Sequence, residues 1–433
     1  MLGVCFSLIG SIMSYSYGSI IIMLGALVPF SMMYMYKTST YQEDAFFCSN
    51  DMNGALIFMS VTLVLLIYLA SWSILHEKYF LLHLTLLFIL VVCFSANNFM
   101  LFYVFFEGSL LPILLMIVGW GYQPERLQAT MYMIMYTVLG SMPLFSLIMF
   151  MYYSHNTLNW YSLSMFLNGG IWYIIGMVAF LVKLPMWSVH VWLPKAHVEA
   201  PLGGSMVLAG ALLKLGGYGM YMYNGLVVWT MSSTILIIVV SLAMWGGMIS
   251  SVLCLCQSDI KSMIAYSSIV HMALVVMGCL SCTSWGMFSS LIMMISHGFS
   301  SSAMFLLAYV TYEKINSRAF FLTKGMLTLY PVLGLFWFLV LLTNMAVPPT
   351  INFVGELQSL PVSLWFGASI FFVLVSTLFL SVSYNMNLYT QINHGPSNMY
   401  MYYGGNISSV SMLALTGHLL PLLLLFRLNI FCN

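Results

Sequence analysis

The chain has 433 residues, of which 62% are hydrophobic and only 5% charged, with a formal net charge of +1. That leaves almost nothing to solvate a water-facing surface of the usual kind, so a soluble globular protein is excluded and no nucleic-acid partner is expected. What remains is an all-α polytopic membrane protein in contact with membrane lipids.

Runs of about 17 to 25 apolar residues read as spans. They give roughly fourteen: two before Lys37, then 53–75, 79–95, 97–119, 129–152, 169–193, 203–224, 230–253, 259–280, 284–311, 328–363, 364–387 and 404–427. The runs are continuous rather than alternating, and open sheet edges cannot face lipid, so helices are predicted and not barrel strands. No connection is long or polar enough to fold a soluble domain. The expected organisation is 1–78 as N-terminal helices, 79–224 and 230–387 as two five-span repeats, and 404–433 as a C-terminal helix. The start, MLGVCFSLIG, shows no basic or Arg-rich leader, and insertion from the compartment of synthesis is expected.

With fourteen spans, the connections after odd-numbered spans share one side and carry Lys78, Arg126, Lys195, Lys261, Lys314, Arg318 and Lys324, against Lys37 and Arg427 on the other. By the positive-inside rule the first side is the inner one, and both termini face outward.

Taken along the chain, six ionisable residues lie inside predicted spans. Glu107, in YVFFEGSLLPILLM, sits mid-run between Asn97 and Gly119, roughly 15 Å from either membrane face at about 1.5 Å per residue. A charge there costs about 2.5 kcal/mol or more, and survives with a partner, water or a proton to carry. Lys183 follows in FLVKLPMW, Lys214 in GALLKLGGYG, His271 in SSIVHMAL, His297 in MISHGFSS and Glu356 in INFVGELQ. Pointing inward, they would form a mid-depth row in which acid, base and imidazole pass protons while neighbouring charges bias each step. The alternatives are plainer. Glu107 and Lys183 could be an inert ion pair, and the two histidines could bond only a carbonyl or a hydroxyl. The surrounding Ser267, Ser268, Ser296, Ser300, Ser301 and Ser302 could satisfy the rings or line a wetted passage.

Two spans cannot remain regular helices: the one containing Lys183 and Pro185, and the one interrupted at VPPT. Paired broken helices in corresponding places point to inverted repeats and an ion path near the midplane. The match sets 79–95 through 203–224 against 230–253 through 364–387, with Lys183 opposite the region of Glu356. Simple kinks without repeat symmetry are the other reading.

Of the eight cysteines, Cys254 and Cys256, then Cys279 and Cys282, lie near membrane ends without a matching second pair. Buried or interfacial thiols are expected rather than a metal site. The 38 methionines fit either altered organelle codon usage or core filling. No nucleotide loop, flavin motif, Fe–S ligand set or nucleophilic triad occurs, so no covalent step is expected in this chain.

The strings WGYQPERLQA (120–129), HVWLPKAHVEAPLGGSMVLAGALLKLGGYG (190–219), QSDIKSMIAYSSIVHM (257–272), SHGFSSSAMFLLA (296–308) and NMAVPPTINFVGEL (344–357) resemble the antiporter-like subunits of respiratory complex I, mitochondrial NADH-ubiquinone oxidoreductase. PERLQA and NMAVPPT are similar to the subunit 4 branch in particular. The resemblance covers most of the chain after about residue 95; nothing is carried over before it. It implies a proton-pumping membrane-arm module with two inverted five-helix repeats, in the mitochondrial inner membrane with both termini on the intermembrane-space side. Its neighbours would be antiporter-like subunits 2 and 5, and NADH, flavin, Fe–S clusters and ubiquinone would be held by other subunits. By this resemblance Glu107 is the acid partnered with Lys183 of the broken helix, Lys214 the central lysine, His297 the linking histidine and Glu356 the terminal acid. His190, His197 and His271 match recurring histidines without a fixed role.

Three functions compete on the sequence: the proton-moving subunit, a stand-alone cation/proton antiporter, and a structural spacer with an inert polar axis. Two midplane lysines repel metal cations, which counts against the second.

Overall fold

The computed structural model describes residues 2–13, 16–37, 42–43, 47–72, 76–160, 167–168, 171–228, 234–396 and 407–423. Arg427, and residues 73–75, 169–170, 230–233, 404–406 and 424–427 of the expected spans, lie outside them.

The described chain is helical, apart from two pairs of two-residue strands: Gln42–Glu43 antiparallel to Cys48–Ser49, and Leu167–Asn168 parallel to Val227–Val228. In order the helices are α1 (Leu2–Met13), α2 (Tyr17–Lys37), α3 (Asp51–Ala70), α4 (Glu77–Ser95), α5 (Phe99–Gly108), α6 (Leu110–Trp120) and α7 (Arg126–His155). Next come α8 (Ile171–Lys183), α9 (Trp192–Glu199) and α10 (Leu202–Val207), a π-helical turn at Leu208–Leu212, then α11 (Leu213–Asn224). The remainder are α12 (Thr234–Leu255), α13 (Ile260–Leu280), α14 (Ser284–Ile315), α15 (Met326–Leu329), α16 (Pro331–Asn344), α17 (Ile351–Phe366), α18 (Ala368–Asn393) and α19 (Ser409–Leu423).

Nine stretches among the described residues are long and apolar enough to cross a membrane, so the chain is a multi-pass membrane protein. Three shorter apolar helices, at Trp172–Lys183, Pro331–Asn344 and Ser409–Leu423, stand beside them. The count falls below the roughly fourteen expected because several runs are divided or short. α1 has 12 residues, about 18 Å at 1.5 Å per residue, against a hydrocarbon core of about 30 Å.

Both predicted breaks are present. The first separates α8 from α9 after Lys183, and the second separates α16 from α17 at Met345–Thr350. Each contains a non-glycine residue in the left-handed region, Ser188 (φ 87°) and Ala346 (φ 55°), a backbone cost of order 1–3 kcal/mol that proteins retain where the conformation has a use. Two further interruptions are not predicted: a turn at Ser109 between α5 and α6, and the π turn ahead of Lys214.

α13 and α14 form the centre; residues 289–308 of α14 are all buried. α7, α12 and α18 turn large apolar side chains outward, among them Leu139, Phe150, Leu242 and Phe379, which suits lipid contact.

Four connections expected on one side meet at one end of the bundle. Ile260 N–H donates to the Arg318 carbonyl (3.1 Å), Phe320 N–H to Ser258 (3.0 Å), and Arg318 Nη1 to Val198 (2.9 Å). The Tyr122 and Tyr312 rings pack 5.7 Å apart in the same place. One expectation fails here. Lys261 is placed by the sequence in an aqueous connection, but it is buried, donating to the Ala200 carbonyl at 3.1 Å. The cause is that the 258–260 segment, in which α13 begins, docks on 318–320 and draws Lys261 under that cover.

Candidate proton-relay site

The centre of the site is Lys214. The π turn at Leu208–Leu212 adds a residue to the local helical repeat, and such turns free carbonyls from the regular ladder. The Lys214 amine donates to the Ala209 carbonyl at 2.6 Å and lies 3.0 Å from His297 Nδ1 on α14. Both residues are fully buried. The contact serves two protonation states: an ammonium N–H can donate to a bare Nδ1, and a protonated Nδ1 can donate to a neutral amine.

His297 passes the axis to His271 on α13, the ring centroids being 5.3 Å apart. Neither nitrogen of His271, nor His297 Nε2, has a hydrogen-bond partner among the described residues. Asn344, the last residue of α16, brings its amide beside His271. That amide also donates to Asn385 Oδ1 (3.0 Å) and receives a long contact from Ser300 (3.5 Å). Asn344 therefore occupies, on the second broken helix, the place that Lys183 has on the first: the end of the half-helix before the break. Glu356 sits on the following half, α17.

None of the six serines bonds a histidine ring among the described residues. Ser267, Ser268, Ser296, Ser301 and Ser302 donate to carbonyls three or four residues back on their own helices, at 2.6–3.4 Å. A serine inside a helix has that acceptor always within reach.

Glu107 and Lys183 are neighbours without being a pair. Lys183 donates to the Phe106 carbonyl (3.0 Å) and stands 4.0 Å over the Phe106 ring. The same carbonyl accepts from Ser109 Oγ (2.7 Å) at the turn that divides α5 from α6. The ion pair named as the plain alternative is absent: the turn presents a strong acceptor one residue before the acid, and the lysine takes it. Glu107 Oε1 has no partner among the described residues, while the Ser141 hydroxyl faces the carboxylate.

Glu356 is buried in α17, with Oε1 unpartnered and Tyr384 of α18 its close neighbour. Thus three of the six expected residues, Lys214, His297 and His271, are brought together. Glu107 and Lys183 form a second group, and Glu356 stands apart.

Several polar residues escaped the sequence reading. His83 on α4 donates through Nδ1 to the Tyr79 carbonyl (2.8 Å) and His418 on α19 likewise to Ala414 (2.7 Å); both are fully buried. They carry the same signal as the six, an ionisable group inside an apolar run. Asn344 had no such signal, since it titrates nothing. Glu199 and Arg318 form the one ion pair among the described residues, at 3.9 Å. His190 stacks on Trp187 (4.5 Å) and His197 on Phe305 (4.7 Å).

The profile of the family described as NADH:quinone oxidoreductase/Mrp antiporter, TM matches residues 96–381. The chain is 40% identical over 413 residues to NADH-ubiquinone oxidoreductase chain 4 of Albinaria caerulea, covering 94% of each. To the chain 4 of Ceratitis capitata it is 44% identical over 356 residues, covering 81% of this chain and 78% of that one. Among solved structures it superposes on a chain of respiratory complex I from Thermus thermophilus with bound NADH at a TM-score of 0.87, with 18% identity, over 98% of this chain and 96% of that one. This last likeness speaks for the fold.

Proposed function

Because this chain belongs to the NADH:quinone oxidoreductase/Mrp antiporter family of membrane proteins, we propose that it is a proton-translocating membrane-arm subunit of an NADH-ubiquinone oxidoreductase, its relay centred on Lys214. The observation that carries the reading is the 3.0 Å contact between Lys214 and His297. A lysine and an imidazole in direct contact, out of water, can exchange a proton without rearranging the backbone. His271, 5.3 Å from His297 ring to ring, extends the line toward Asn344 and the second broken helix. Glu356 then acts as the terminal acid, and Glu107 with Lys183 as the opposite end. The gaps between these three groups require water, since side chains several ångströms apart do not pass protons directly.

The redox chemistry that drives the movement belongs to other subunits, where NADH, flavin, Fe–S clusters and ubiquinone are held. Antiporter-like subunits 2 and 5 are the neighbours proposed at the two ends of the axis. The proposed location is the mitochondrial inner membrane, with both termini on the intermembrane-space side and the 79–224 and 230–387 segments acting as inverted repeats.

The decisive experiment is Lys214→Met in the assembled complex, with proton translocation measured against NADH oxidation in sealed vesicles. Methionine keeps the apolar stem and removes the titrating group. Assembly is expected to survive and translocation to be lost; a wild-type ratio of protons moved to NADH oxidised would sink the relay in favour of a structural spacer. Lys214→Arg is expected to fail as well, because guanidinium does not release its proton.

A further inference from the structure

A second polar branch runs from the charged end of the bundle toward Lys214, and none of its members belongs to the six axis residues. At the end itself, Glu199 closes α9 and pairs with Arg318, while Lys261 lies 4.9 Å from the Tyr122 ring centre and donates to Ala200. Two residues before Glu199, on the same short helix, His197 turns into the core. Its ring lies flat on Phe305, 4.7 Å away at 8°, fully buried, with neither nitrogen partnered among the described residues. The cations whose fields reach it are Lys261 on the charged side and Lys214 on the other.

A buried imidazole with two unused nitrogens is costly, about 1–3 kcal/mol for each unsatisfied group. Stacking on a phenylalanine would be served as well by an apolar ring, so packing alone does not explain a histidine here. An imidazole can take a proton on one nitrogen and release it from the other, which suits a position between two proton carriers.

We propose that Lys261 and His197 form the path by which the Lys214–His297 pair exchanges protons with the charged aqueous face. The proposal rests on Lys214 being a proton carrier. In the inward direction an N–H bond forms at one nitrogen of His197, with the proton coming from Lys261 or from water. The N–H bond at the other nitrogen breaks, and its proton ends on the lone pair of a neutral Lys214. No electron changes centre. Water bridges the distances that the side chains do not span.

The test uses the intact complex in sealed vesicles. His197→Gln keeps a polar side chain of similar size and removes the titration; assembly is expected to be normal, and NADH-driven translocation to slow on the order of 10²-fold. The solvent deuterium isotope effect is expected to rise as proton entry becomes limiting, which a purely structural role would not cause. Lys261→Met is expected to slow translocation in the same sense, and it decides the matter if His197→Gln does not assemble. Wild-type translocation in Lys261→Met and in any assembled His197→Gln overturns the branch. Lys214→Met separates the two readings: translocation lost there but intact in the branch variants removes the branch and leaves the hub, and translocation intact in all three removes both.

Discussion

Lys214 and His297 meet at 3.0 Å although 83 residues separate them in the chain. What brings them together is a close approach of backbones at Gly210 and Gly298: a Cβ added to Gly298 would lie 3.3 Å from the Gly210 carbonyl and 2.4 Å from Met59 Sδ. The helix carrying the lysine therefore rests directly on the helix carrying the histidine, and the π turn at Leu208–Leu212, which contains Gly210, sets the angle from which the amine arrives.

That packing predicts the effect of filling the gap. Gly298→Val should force Met59 aside and press on the Gly210 carbonyl, an overpacking cost of about 1–3 kcal/mol. Less assembled complex is expected on native gels, and the complex that does assemble should translocate fewer protons per NADH. Normal assembly and normal translocation together would mean that the close approach has no bearing on the hub.

His297 can be separated into its hydrogen-bonding and titrating parts. In His297→Gln the amide oxygen can still accept from Lys214, so assembly should be near normal while translocation slows by about 10²-fold or more. In His297→Phe the amine keeps only Ala209, and the loss of a partner for a buried cation should also lower assembly. Comparing the two variants for complex yield and for protons per NADH checks both halves; equal yields would argue that the contact contributes nothing to folding.

Glu107 is a sharper case because it makes no ion pair with Lys183. If its role is electrostatic, Glu107→Gln should cost the fold little, within about 0.5–1 kcal/mol as the amide replaces an unpaired carboxylate, yet impair translocation. The measurement is assembly beside pumping in one preparation. A variant that fails to assemble would show the carboxylate to be structural.

The orientation has a direct chemical test. Cys256 and Cys282 are free, exposed on this chain, and lie just beyond opposite ends of α13. With the termini outward, Cys256 lies on the inner side and Cys282 on the outer. A membrane-impermeant maleimide added to intact mitoplasts should modify Cys282 and spare Cys256, and inverted inner-membrane vesicles should give the reverse. Reversed labelling would turn the chain over.

Composition and local pattern are enough to identify a helical membrane protein, to locate its two broken helices and to pick out most of the residues worth testing. They suffice because burying a charge in hydrocarbon or a proline in a helix costs enough to be visible without knowing the neighbours. Lys183, Lys214, His297 and Glu356 announce themselves in that way. Who touches whom is settled by packing instead. Lys183 binds the Phe106 carbonyl rather than Glu107 because a turn at Ser109, unmarked by any proline in its own position, offers that acceptor. Lys261 moves from an aqueous loop to a buried place because 258–260 docks on 318–320, a pairing between segments some 60 residues apart that no local pattern encodes. Asn344 becomes part of the axis only because the second break carries it to His271. A side chain's cost of burial is a property of its own stretch of sequence, whereas its partner is a property of the packing of helices distant in the chain.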